Sequence, residues 1–363
     1  MSNITLTNAK KVKNDEFYTQ YQDIQKEIEA YLEYNPNTFR DKVIYCNCDD
    51  PYESNFFRYF ALNFRKLGLK KLITTSYSPS HIACTQLDLF DTKNNVHTSK
   101  NSQKKVAIKF VIQEVGDIDK DGEFNLKDIA KQLKDNKNNE WSLLQGNGDF
   151  RSKECIELLK QSDIVVTNPP FSLFREYVKQ LFDYNKKFLI IGSISAITYK
   201  EIFPLIRDNK MWLGNGFSGG NAYFYTPNIR EFASGVYDPK TGLVKFRNVH
   251  WFTNLDHGRR HEFIPLMTMA ENLKFNKKVK KNPNSYKKYD NYDAIEVPYT
   301  EAIPSDYKGI MGVPISFLDR YNPEQFEILG LDDHRVQPPN WRGRGPELNG
   351  KTLYRRIIIK HKK

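Results

Sequence analysis

An α/β fold on a mostly parallel sheet of about seven strands is what this sequence predicts, and three observations predict it. From residue 42 to about 226, short apolar runs alternate with amphipathic stretches, the rhythm of successive βαβ units. The loops after three of those runs carry thiol, amide and acidic side chains, where such sheets bind their ligands. The chain, at 363 residues, is also long enough to bury a sizeable core.

The elements follow in order. Residues 42–47 (KVIYCN) read as the first strand. Asp49 or Asp50 is placed to cap a following helix, with Pro51 in its first turn, Phe56, Phe60, Phe64 and Leu67 on one face, and Gly68 as its stop. Residues 70–77 (KKLITTSY) form the second strand. Further strands are expected at 141–145, 163–167, 186–193, 210–214 and 222–226, with helices over about 152–161, 172–183 and 198–207. The Lys/Asn-rich stretch 85–140 reads as a surface excursion from the sheet. After 230 the rhythm gives way to Tyr-, Asn- and Pro-rich sequence with short extended runs such as LVKFRNVHWFTNL (243–255) and LYRRIIIK (353–360). The glycine-rich 213–224 lies between two expected strands and reads as a hairpin.

Composition narrows the class. Fifty-five Lys and Arg against 44 Asp and Glu leave a net charge of +11, which favours a polyanionic partner, nucleic acid first. The N-terminal stretch has no apolar signal region, and no apolar run has membrane-spanning length, so a cytoplasmic protein without membrane contact is expected. Cys46, Cys48, Cys84 and Cys155 have neither C-x-x-C spacing nor a secretory context, which argues against disulfides and zinc. Residues 117–128 place Asp117, Asp119, Asp121, Gly122 and Asp128 at calcium-loop spacing, but an alternating, strand-like run precedes them where a helix is required, so the expected metal set is none. His250, His257 and His261 near Arg259 and Arg260 suit DNA contact or a polar loop better than a metal. Seven lysines and no acid in 274–288, with Lys277, Lys278, Lys280 and Lys281 at the centre, and a second basic run holding Arg355 and Arg356, suit either a solvated face or phosphate contact.

The chemistry concentrates in DIVVTNPPFSLF (163–174), where a buried apolar run ends in Asn168-Pro169-Pro170-Phe171. An amine on a heteroaromatic ring is planar and a poor nucleophile until its lone pair is localised. An Asn oxygen beside a carbonyl held outward by proline accepts both N–H bonds and draws that nitrogen toward tetrahedral geometry. An aromatic then stacks on the ring. The four residues therefore read as a clamp for a planar amino group.

Asn168-Pro169-Pro170-Phe171 resembles the N-P-P-[FY] motif of amino-group methyltransferases that use S-adenosylmethionine, in the form found in DNA adenine-N6 enzymes. Longer stretches, among them KNDEFYTQY (13–21), VIYCNCDDP (43–51), GDFRS (148–152), SDIVVTNPPFSLFREY (162–177) and GVPISFLDRYNPEQFE (312–327), are similar to the EcoRI-type DNA adenine-N6 methyltransferases of restriction–modification systems, in the same order along nearly the whole chain. The resemblance implies a Rossmann-like S-adenosylmethionine-dependent domain over 1–230, with 85–140 inserted, and a DNA target-recognition region over 231–363 packed on it. It implies a monomer that methylates adenine in a short site of double-stranded DNA after flipping the base, beside a cognate restriction endonuclease with which it forms no stable complex. By motif, Asn168, Pro169, Pro170 and Phe171 would hold the target adenine, and Asp149 and Phe150 the cofactor adenine. Phe17, Tyr18 and Thr19 would seat the methionine moiety, with Cys46, Asn47, Cys48, Asp49, Asp50 and Pro51 passing beneath it. Lys277, Lys278, Lys280, Lys281, Arg259, Arg260, Arg355 and Arg356 would meet DNA. Two features depart from the family pattern: CNCDDP replaces the glycine-rich first loop, and Thr74, Thr75 and Ser76 stand where an acid ends the second strand, which turns the expected ribose contact to Asp49 or Asp50. Two other readings stay open: the same chemistry on RNA or a protein glutamine, and an inactive DNA-binding module supported by the CNCDDP departure.

Overall fold

The computed structural model describes residues 18–48, 54–77, 107–117, 125, 128–129, 131, 138–217, 220–225, 232, 234–332, 337–342 and 345–362. Two compact units are interleaved in sequence: residues up to Ile194 with Gly216–Leu255, and Ser195–Asn215 with Asp256–Lys363. A single cut at 230 therefore does not describe the chain.

The first unit opens with β1 (Tyr18–Thr19) and α1 (Tyr21–Tyr34), whose Ile24, Glu27, Ile28 and Tyr31 recur at helical spacing and are buried. Then come β2 (Val43–Cys46), α2 (Asn55–Leu62), α3 (Phe64–Leu67) and β3 (Lys71–Thr75). The expected single helix is broken at Asn63, and its cap is the Ser54 hydroxyl, which accepts from the Phe57 amide. Gly68 ends it in the left-handed region, φ 63°, as its missing Cβ allows. There follow β4 (Ile108–Ile112), β5 (Glu140–Leu143), α4 (Lys153–Gln161), β6 (Ile164–Thr167), α5 (Phe174–Asp183) and β7 (Lys187–Ser193). In α5 the buried Phe174, Tyr177, Val178 and Leu181 form one stripe, while Phe188–Ile191 of β7 are buried on both faces and need no alternation.

Within this unit the central sheet runs β5-β4-β3-β2-β6-β7, and β12 (Val249–Thr253) continues it. β2, β3, β6 and β7 pair in parallel; β4 and β12 run against them, and β5 pairs antiparallel with β4 and so points the same way as β3. The sheet is thus more mixed than expected. Part of the supposed excursion 85–140 is a core strand, because Ile108, Phe110 and Ile112 are apolar on the helix-covered face and pack into the same cluster as α2. Residues 249–253, expected in a second irregular region, instead lie along β7 with Trp251 and Phe252 fully buried. A second, antiparallel sheet has the order β1-β9-β11-β10, where β9 is Ala222–Tyr225, β10 Tyr237–Asp238 and β11 Leu243–Phe246. β9 pairs with β1 and β11, so the hairpin expected over 213–224 does not form.

The second unit contains α6 (Phe203–Arg207), β8 (Trp212–Leu213), α7 (Met269–Phe275) and α8 (Lys277–Lys281). α6 starts later than the expected 198 because Pro204 occupies its first turn. Its sheet has the order β13 (Ile295–Glu296), β14 (Met311–Val313), β18 (Ile357–His361), β15 (Phe326–Leu331), with a separate pair β16 (Glu347–Leu348) and β17 (Lys351–Thr352). Glu296 is almost fully buried and pairs with Arg356 at 2.7 Å, while Tyr289 donates a second hydrogen bond to the same carboxylate. Ile357, Ile358 and Ile359 continue the core beside that pair.

Candidate active site

β2 lies between β3 and β6, and the chain leaves β2 for β3 on one side but runs from β6 to β7 on the other. Strand order therefore reverses between β2 and β6, and a crevice opens at their carboxyl ends. The Asn47 and Thr167 tips meet there: the Thr167 hydroxyl donates to the Asn47 carbonyl. Beyond Asn47, Cys48 adopts φ 70°, so a thiol-bearing residue makes the left-handed turn that a glycine-rich loop would make without strain.

A third segment joins them. In the 146–150 turn Gly148 has φ 73°, and any Cβ there would lie 1.9 Å from the Ser76 carbonyl, so the turn is pressed against the end of β3. Ser76 is itself locked by donation from the Ile108 amide to its hydroxyl at 2.8 Å, which is how the inserted β4 supports the site. Asp149 accepts from the Arg151 amide and guanidinium at 2.8–2.9 Å, and these bonds hold its carboxyl below the usual range. Oδ2 takes only one of them and keeps a lone pair for a further donor. The Phe150 ring is buried edge-to-face on Tyr177 at 5.0 Å, and Tyr177 donates to Asn47 Oδ1 at 2.5 Å. Thr19, on β1, accepts through its carbonyl from Asn55 Nδ2 at 2.7 Å, which ties β1 to the start of α2.

At the tip of β6, Pro169 is buried and Asn168, Pro170 and Phe171 are half-buried. The Pro170 carbonyl is spent on the Leu173 amide at 2.9 Å, whereas the Pro169 carbonyl accepts nothing among the described residues. Of the two proline carbonyls, the Pro169 one is therefore the candidate acceptor beside the Asn168 side chain. Phe171 lines a pocket of about 630 Å³ with Ser193, Ser234–Val236 and Lys245–Val249, a volume in the range of small-molecule sites. Sequence reasoning missed that wall, and it assigned no role to Tyr177 or Ser76: Tyr177 closes the family-like stretch 162–177 and Ser76 ends the second strand, but nothing local shows what either touches. Phe17, Asp49, Asp50 and Pro51 lie outside the described residues, as does most of 117–128.

With the geometry in hand, comparison with known proteins is decisive: residues 5–362 match the family described as adenine-specific methyltransferase EcoRI. The chain belongs to that family. The methyltransferase is 43% identical over 369 residues to the Type II methyltransferase M.EcoRI of Escherichia coli, covering 100% of this chain and 98% of that protein. It is 33% identical over 373 residues to the Type II methyltransferase M.MpnI of Mycoplasma pneumoniae, covering 98% and 97%. Against the Type II methyltransferase M.MgeORF184P of Mycoplasma genitalium it is 34% identical over 371 residues, covering 97% of each. No solved structure matches significantly.

The basic candidates of the methyltransferase divide sharply. Lys277, Lys280 and Lys281 are exposed on α8, which Val279 anchors, and form no ion pair among the described residues; Lys278 pairs with Glu301 at 2.8 Å. Arg356 turns inward onto buried Glu296, so its charge is spent inside the fold and the expected DNA contact is withdrawn. The same correction applies to Arg260, whose guanidinium lies 3.6 Å from the Trp212 ring centre, whereas half-buried Arg259 donates one bond to the Asn215 carbonyl at 2.6 Å. Arg355 is half-buried. Of the histidines, His250 belongs to the first unit; in the second, His257 is buried against the Leu213 carbonyl and His261 pairs with Asp256 at 2.9 Å.

Proposed function

We propose that this adenine-specific methyltransferase transfers a methyl group from S-adenosylmethionine to the N6 of an adenine flipped out of a short duplex DNA site, as the modification half of a type II restriction–modification system. The observation that carries the reading is the junction of three loops: the Asn168–Phe171 tip, the Asn47 tip and the Phe150 turn, joined by hydrogen bonds and a ring contact at the switch point of the sheet. The residues fit the cofactor. Asp149 Oδ2 keeps an acceptor for the adenine amino edge, Phe150 supplies an apolar wall, and the Asn47 carboxamide supplies polar contact beside it. S-adenosylmethionine would supply an electrophilic methyl on its sulfonium.

The chain's own residues do the rest. Asn168 Oδ1 and the Pro169 carbonyl accept the two N6 hydrogens and localise the lone pair. The same acceptors then face the positive charge that develops on nitrogen. Phe171 stacks on the extruded base, offsetting part of an unstacking cost of a few kcal/mol, and the pocket it lines gives that base room. Orientation of amine and methyl supplies the remaining acceleration, and no covalent enzyme intermediate is needed. Lys277, Lys280 and Lys281 meet phosphates. The protein works as a cytoplasmic monomer, beside a restriction endonuclease that acts on the same site without binding it.

Replacement of Asn168 by Ala tests this. Transfer of tritiated methyl to duplex DNA should fall about 100- to 1,000-fold, with cofactor affinity nearly unchanged. Wild-type rates in the variant would reject the clamp, and preferential labelling of RNA or protein by the native enzyme would reject the substrate.

A further inference from the structure

Tyr177 is fully buried on α5, ten residues after the β6 tip, and touches the other two loops of the crevice at once. Its hydroxyl donates to Asn47 Oδ1, and its ring meets Phe150 edge-to-face at 5.0 Å, 71° between planes. Gln180, one turn further along α5, donates to the Phe150 carbonyl at 3.1 Å. The same helix therefore begins at the target-base motif and clamps both loops that the proposed function gives to the cofactor.

The direction of the hydrogen bond has a chemical consequence. Asn47 is 4% exposed, and with its oxygen taken by a hydroxyl donor the functional group left on the carboxamide is its NH2. Among the described residues that NH2 makes no hydrogen bond within the chain, and its nitrogen is not one of the buried polar atoms left without a partner, so it stands accessible to a ligand. An accessible carboxamide NH2 on an otherwise buried side chain is a fixed pair of donors, and a ligand rich in acceptors, such as the ribose hydroxyls or the carboxylate of a nucleoside-linked amino acid, would take them up. The loop here lacks the glycines whose backbone amides would otherwise provide donors, and it lacks an acid at the end of β3, where Thr74, Thr75 and Ser76 stand.

We propose that Tyr177 is a positioning residue for the cofactor: by holding Asn47 Oδ1 it presents the Asn47 NH2 as a donor to S-adenosylmethionine and keeps the Phe150 ring in register with it. This rests on the cofactor assignment above. The test is Tyr177→Phe, which keeps the ring and removes only the hydroxyl. Calorimetric titration of the full-length enzyme with S-adenosylmethionine should show affinity reduced about tenfold, as when a buried acceptor loses its donor. The KM for cofactor should rise in parallel, while kcat at saturating cofactor and the KM for DNA stay within about twofold. Asn47→Ala should weaken binding similarly, and adding Tyr177→Phe to it should cost little more, since the bond is already gone. A purely structural tyrosine would lower the melting temperature and leave the cofactor KM alone; that outcome, or unchanged affinity in a folded Tyr177→Phe, overturns the proposal. If Tyr177→Phe does not fold, Asn47→Asp decides: it preserves an acceptor for Tyr177 but replaces the NH2 with oxygen, so undiminished cofactor affinity would overturn it equally. Wild-type enzyme that binds no S-adenosylmethionine would instead strike at the cofactor assignment, not at Tyr177.

Discussion

His257 lies inside the second unit with its Nε2–H donating to the Leu213 carbonyl at 3.1 Å. Burial outweighs that bond and pushes its pKa down to about 4 from an ordinary 6.5. The unfolded chain therefore takes up a proton below pH 6.5 that the folded one refuses, so the stability is fully present above 6.5 and is lost as pH falls toward 4. Between pH 7 and pH 5 the wild type should lose roughly 2 kcal/mol more than His257→Gln in urea titrations, and equal losses would refute the buried, neutral imidazole. Arg356 teaches a related lesson. In the sequence it is one of a basic run, but Glu296 is close enough to claim its guanidinium, and a desolvated carboxylate needs that partner more than a phosphate does. Residue type announced a cation in both runs. Only its surroundings decided where the charge went.

At the scale of elements, the βαβ units were legible because their signals are local: apolar runs, capping residues and the helical stripe of α5 lie within a few turns of one another. β4 and β12 were legible only as extended runs and not as members of this sheet, since that membership rests on pairings with segments remote in sequence, such as Thr74 with Phe110 and Trp251 with Ile191. The GNGDF turn shows both sides. Its motif was readable, yet its close approach to Ser76 was not. Because Gly148 needs φ 73° and has no space for a Cβ, Gly148→Ala should cost at least about 2 kcal/mol in stability and weaken cofactor binding more than tenfold, measured by chemical denaturation and calorimetry. A variant with native affinity would show that the turn is not held against β3.

Over the whole molecule, a net charge of +11 implies DNA affinity that falls steeply with salt. If Lys277, Lys280 and Lys281 meet phosphates, changing all three to Gln should reduce the slope of log affinity against log salt by about 2–3 and leave sequence preference intact, whereas an unchanged slope would remove α8 from the interface. The interleaving of the two units belongs to this scale too: residues 195–215 and 216–255 part company because each finds its apolar partners in a different core. The sequence by itself determined the four parallel strands and the family, since strand periodicity and family-like stretches are written in adjacent residues, and it made the rigid Asn168–Phe171 tip legible as the proposed clamp. Only the tertiary structure decided that Tyr177 bridges two loops, that among the described residues Pro169 and not Pro170 keeps an open carbonyl, and which cations face outward. Hydrogen-bond partners and burial depend on distances between segments remote in sequence, and no local pattern encodes those distances.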